Sequence, residues 1–195
     1  RNISRKYDPD GYAQAKKLWL EQTSRPNVTP NTLARAAAFL TPDDKPLAEE
    51  LLIRAERMDP AGPWTARLMD LYAQAIGRSL GSRSQALDVG EMQFAVAARR
   101  KIEASTDPKV LANAGFALRR WAPVGSEMSV LARRLFERAV ALDPQSVRAR
   151  TGLADFQYAE RRKAIDDRLR ATGGAPTAFD DFSDTTTAAA STLPI

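Results

Sequence analysis

The chain has neither cysteine nor histidine among its 195 residues. These two absences exclude disulfides, thiol nucleophiles, imidazole bases and nearly every zinc or haem site. Lack of cysteine does not by itself choose a compartment. Aromatics make up only 7 % of the chain, and β-branched residues are scarce. No apolar run approaches the length needed to cross a membrane. What remains in quantity is Ala, Leu, Arg and Glu, a composition that favours helix. The chain opens on Arg1 rather than Met. With the Thr/Ala-rich end, this leans towards an exported (periplasmic or extracellular) protein whose leader is gone and whose Thr185–Thr187 run carries sugar.

Charge is spread unevenly. From Thr172 onward there is no Lys or Arg and there are three Asp, so a net +5 for the chain leaves +8 on residues 1–171. The prominence of Arg and Ala also fits a GC-rich bacterial genome, with no functional meaning. Residues 172–195 are low in charge and non-periodic and read as an acidic tail, not a domain. Residues 1–29 read as a basic segment with one helix, and residues 30–171 as the helical domain.

Within that domain one helix is written twice. Leu131–Pro144 and Leu47–Pro60 carry apolar residues at the same offsets: Leu131/Leu47, Ala132/Ala48, Leu135/Leu51, Phe136/Leu52, Ala139/Ala55 and Leu142/Met58. Both close on Asp-Pro, and the offsets lie on one face of an α-helix. A second element also recurs: Thr32–Leu40 (TLARAAAFL) and Val110–Leu118 (VLANAGFAL) each precede one copy of the first. Helices are predicted over Gly11–Thr23, Asn31–Leu40, Lys45–Met58, Pro63–Ile76, Gln85–Ser105, Pro108–Trp121 and from the Ser126 cap to Leu142. Gln145–Tyr158 and Ala159–Ala171 form one helix or two. Prolines and N-cap residues mark the breaks. On the first helix Tyr12, Ala15, Leu18, Trp19 and Gln22 share a side. Gly77–Ser84 reads as an inserted loop.

This order of helices resembles the tetratricopeptide repeat (TPR) family. Ala132, Phe136, Ala139 and Pro144 have its helix B spacing, as do Ala48, Leu52, Ala55 and Pro60. Leu111, Ala114, Gly115 and Leu118 match helix A, as do Leu33, Ala36, Ala37 and Leu40. The resemblance covers residues 30–158 and departs in a middle repeat, where Ala97, Lys101 and Ala104 put a Lys at an apolar position. It implies an all-α, right-handed α-solenoid of antiparallel helix pairs, about three repeats plus flanking helices and an extended tail. It further implies a non-enzymatic scaffold with a concave groove lined by helix A residues. Position by position these are Lys109, Ala112, Asn113, Phe116, Arg119 and Arg120, then Arg148, Thr151, Asp155 and Tyr158. Such a basic groove suits an extended acidic peptide with an aromatic.

The chain contains one such peptide, Phe179, Asp180, Asp181, Phe182, Ser183 and Asp184. A self-assembling subunit whose tail docks on a neighbouring copy, forming a ring or filament, is therefore the alternative. Nucleic acid is a third reading, through Arg99-Arg100, Arg119-Arg120, Arg133-Arg134 and Arg161-Arg162-Lys163. Against it stand acids within a turn of many of them, including Glu137, Asp155, Asp166 and Asp167. The pairs Asp43-Asp44, Asp166-Asp167 and Asp180-Asp181 read as helix-terminal acids, not as a catalytic or metal site, and no cofactor is implied. Trp19, Trp64 and Trp121 read as packing residues in preference to a stacking ladder.

Overall fold

A computed structural model describes residues 5–81, 88–123 and 125–171. Among them are eight helices and no strand: α1 Pro9–Thr23, α2 Pro30–Leu40, α3 Lys45–Met58, α4 Trp64–Gly81, α5 Val89–Ala104, α6 Pro108–Trp121, α7 Glu127–Leu142 and α8 Val147–Ala171. The chain is all-α, and most boundaries are set by local chemistry. The side chains of Asp8, Thr29, Asp44, Asp88, Asp107 and Ser126 each accept a bond from a backbone N–H in the first turn of the helix that follows. Such a cap satisfies one of four otherwise orphaned donors and stabilises by about 1 kcal/mol. Gly125, between α6 and α7, has φ +90°, a conformation that costs glycine little and other residues more.

The repeated pattern is a packing pattern. Leu33, Ala36, Ala37 and Leu40 of α2 are buried, and so are Leu111, Ala114, Gly115 and Leu118 of α6. On α3 and α7 the shared positions through Ala55 and Ala139 are buried or nearly so. The last shared pair, Met58 and Leu142, is exposed in both copies. The two copies therefore agree even in where the apolar stripe runs past the core. Helix α2 packs on α3, α6 packs on α7, and α4 touches α3, α5, α6 and α7.

Several expectations are corrected. Gly77–Gly81 is not loop but the last turn of α4, and 82–87 lie outside the described residues. Tertiary contacts hold that turn: Gly77 lies against Met128, with room of only 3.3 Å for a Cβ, and Arg78 pairs with Glu91 at 3.0 Å. In α5 the buried face is Ala95, Ala98 and Ile102, while Ala97, Lys101 and Ala104 are exposed. The face that α5 buries therefore differs from the expected one, and Lys101 points outward. On α1, Leu18 is exposed. Trp64 is buried, Trp19 packs partly buried against the core, but Trp121 is half exposed.

The chain divides into two units, residues 1–156 and 157–195. The first ends where burial along α8 ends, at Ala149, Gly152 and Phe156. The second is described only through Ala171. There α8 continues as a charged helix with exposed Tyr158 and Ile165, supported by the i,i+4 pair Lys163–Asp167. Lys163 holds the Asp167 carboxyl below its ordinary range. The expected tail, including Phe179, Asp180, Asp181, Phe182, Asp184 and Thr185–Thr187, lies outside the described residues. No helix among the described residues is long and apolar enough to cross a membrane.

Candidate functional site

Helix α4 is buried on nearly every side except one. Trp64, Leu68, Leu71, Tyr72 and Ile76 all face the core. Arg67, Asp70, Gln74 and Arg78 follow one another at helical spacing and stay at least partly exposed. This polar stripe lies between two clefts. One, of about 420 Å³, separates α2 from α4, with Ala34, Leu52 and Leu71 in its lining and Thr41, Arg67, Asp70 and Gln74 at its polar edge. The other, of about 360 Å³, is lined by Gln74, Gly77, Arg78 and Trp121, so it lies between α4 and α6. Gln74 belongs to both.

The stripe continues onto α6 and α8 through ion pairs. Arg120 reaches Asp70 at 3.1 Å, and Arg119 reaches Asp155 at 3.4 Å. The Arg148 guanidinium lies 4.9 Å from the centre of the Phe116 ring, and Phe116 meets Phe136 edge to face at 5.0 Å. Arg67 stands over Trp64 in the same way, at 5.3 Å. A cation over an aromatic face contributes about 0.5–1 kcal/mol where exposed.

The residues expected in the groove are thus partly assembled. Phe116, Arg119, Arg148 and Asp155 come together across α6 and α8, and Arg120 joins α4 instead. Lys109 is exposed at the start of α6. Thr151 is exposed on α8, whereas Ala112 is buried. Asn113 is only 6 % exposed and is not available to a ligand. It sits on the side of α6 that packs against its neighbours. Tyr158 falls in the second unit, exposed. The expected basic character is also tempered, because Asp70 and Asp155 neutralise Arg120 and Arg119 in part.

The α2–α4 cleft was not anticipated. The signal for it was in the sequence: Arg67, Asp70, Gln74 and Arg78 are the polar stripe of an otherwise apolar helix.

Several of the other charged residues have structural work. Asp44 caps α3 and pairs with Lys16 at 2.6 Å, and Asp43 accepts from the Arg5 backbone N–H. Arg99 holds both Glu103 and Glu127, which raises its guanidinium pKa, Glu127 contributing most. Arg133 pairs with Glu137. No group of three acids among the described residues could hold a metal ion. No family model, curated protein or solved structure matches the chain.

Proposed function

We propose that this chain is a non-enzymatic, TPR-like solenoid of about three helix pairs that binds an extended acidic peptide containing an aromatic residue. The observation that carries the reading is the pair of clefts sharing Gln74, open to solvent between α2, α4 and α6. Their apolar lining beside a polar edge is the form that recognition of a side chain with its flanking backbone requires. Arg67, Arg119, Arg120 and Arg148 supply more positive charge along this face than Asp70 and Asp155 cancel, Arg78 being paired with Glu91, which favours an acidic ligand. Trp121 and Phe116 offer aromatic surface. The TPR likeness itself rests on the two repeated helix pairs and on small residues where the pairs approach.

The test uses fluorescence anisotropy with a labelled peptide of residues 179–184, whose two Phe and three Asp have the required chemistry. Binding in the range of about 10–100 μM is expected, weakening with salt. Replacing Trp121 by Ala, or both peptide Phe by Ala, should weaken it about tenfold, equivalent to ~1.4 kcal/mol. Binding untouched by Trp121→Ala and by Arg120→Glu would overturn the reading.

A further inference from the structure

We propose that the peptide taken by these clefts is residues 179–184 of a second copy of this chain, with one Phe ring seated in each cleft. The inference rests on the reading that the clefts bind an acidic aromatic peptide, and it names the partner. Residues 172–195 contain two aromatic residues and three charged side chains. All five fall within these six positions: Phe179, Asp180, Asp181, Phe182 and Asp184. The rest of that stretch is mostly Ala and Thr.

The clefts ask for two apolar groups on one strand. They adjoin at Gln74. Ala34, Leu52 and Leu71 line one, and the half-exposed Trp121 lines the other. In a polyproline-II strand three residues make a turn at ~3.1 Å each, so residues three apart return to one side about 9 Å from each other. Phe179 and Phe182 have that spacing. Asp180 and Asp181 then project to the other sides, where the exposed edge carries Arg67 and the Arg120–Asp70 pair, one positive charge in excess. Chain length favours another copy's clefts over its own. Residues 157–171 of α8 follow its last buried residue, Phe156, over roughly 22 Å of helix. The connection 172–178 spans roughly 25 Å at most, so docking on the same chain would spend nearly all of it on the return. A tail-to-cleft contact is heterologous and leaves a free tail and a free cleft at the ends, so copies add in series.

Sedimentation velocity on the full chain, from about 5 to about 500 μM, should show reversible oligomers beyond the dimer that dissolve as salt is raised. The double change Phe179→Ser, Phe182→Ser removes both rings from the tail, and Trp121→Ala opens one cleft. Each should raise the concentration needed for assembly at least about tenfold. Mixed in equal amounts, the two variants should stop at a one-to-one pair. Only the Trp121→Ala copies keep a competent tail, and only the Phe variant keeps both clefts whole. Circular dichroism must show Trp121→Ala folded; otherwise Arg67→Glu, at an exposed position, takes its place. The labelled 179–184 peptide, titrated onto the double Phe variant, separates this inference from the reading beneath it. A chain that binds the peptide yet stays monomeric throughout the range would overturn the inference alone, and no binding would overturn both. Assembly indifferent to the Phe changes, or folded variants that fail to pair on mixing, would also overturn the inference.

Discussion

A Cβ placed on Gly115 would lie 2.8 Å from the ring of Phe136, closer than real side chains approach. The corresponding pair in the first half of the chain is Ala37 and Leu52, both buried. At these matching positions the larger side chain, Phe136, goes with the smaller residue, Gly115, and the smaller Leu52 goes with the larger Ala37. Gly152 of α8 meets the same ring from another side, and a Cβ there would clash with it too.

Gly115→Ala and Gly152→Ala should therefore destabilise, although alanine is the better helix former by about 1 kcal/mol. Overpacking costs about 1–3 kcal/mol, and the rigid ring cannot swing clear as a long side chain would. Urea denaturation should show the net loss. Combining Gly115→Ala with Phe136→Leu reproduces the Ala37/Leu52 pairing, and its cost should fall clearly below the sum of the two single changes.

Lys45 is only 6 % exposed, and its ammonium lies 3.1 Å from Glu91, which Arg78 also contacts. Removing Glu91 leaves a buried cation, whereas replacing Lys45 by Met removes the charge and keeps the volume. Glu91→Ala should cost about 3 kcal/mol and Lys45→Met about 1 kcal/mol or less. The double variant should be more stable than Glu91→Ala alone. Equal losses from the two single changes would contradict this account.

Arg138 of α7 donates to the backbone carbonyls of Glu103 and Ser105, at 2.7 and 3.0 Å. These carbonyls sit at the C-terminal end of α5, where orphaned acceptors and the helix dipole favour a cation. Arg138→Ala should lower stability by about 1 kcal/mol, and Arg138→Lys should recover part of it. Faster amide hydrogen exchange confined to the last turn of α5 would be the local sign.

Two tyrosines tie stability to alkaline pH. Burial, then bonding to Glu49, raises the Tyr72 pKa far above its ordinary 10.0. Burial, then Asp43, raises that of Tyr12, whose hydroxyl has no partner among the described residues. A folded-state pKa above the unfolded one stabilises fully below the unfolded value and is lost as pH rises through the folded one. Stability should be unaffected by these groups below pH ~9 and fall above pH ~10. Tyr72→Phe should flatten that fall, followed by denaturant midpoints against pH.

The sequence by itself determined the helices and the faces they bury. Asp-Pro breaks, N-caps and an apolar stripe repeated at one set of offsets are local signals, legible without knowing any neighbour. That is why α2, α3, α6 and α7 fall where expected, with most of the repeated apolar positions buried. Only the tertiary structure decided what depends on a neighbour. Gly77–Gly81 is helical because Met128 and Glu91 lie beside it, though glycine and serine favoured a loop. Helix α5 buries Ala95, Ala98 and Ile102 because these make a more apolar face than Ala97, Lys101 and Ala104. Asn113 turned inward and Arg120 turned to Asp70 for the same reason. Which exposed residues face one another across helices is a property of packing, and periodicity along one helix does not contain it.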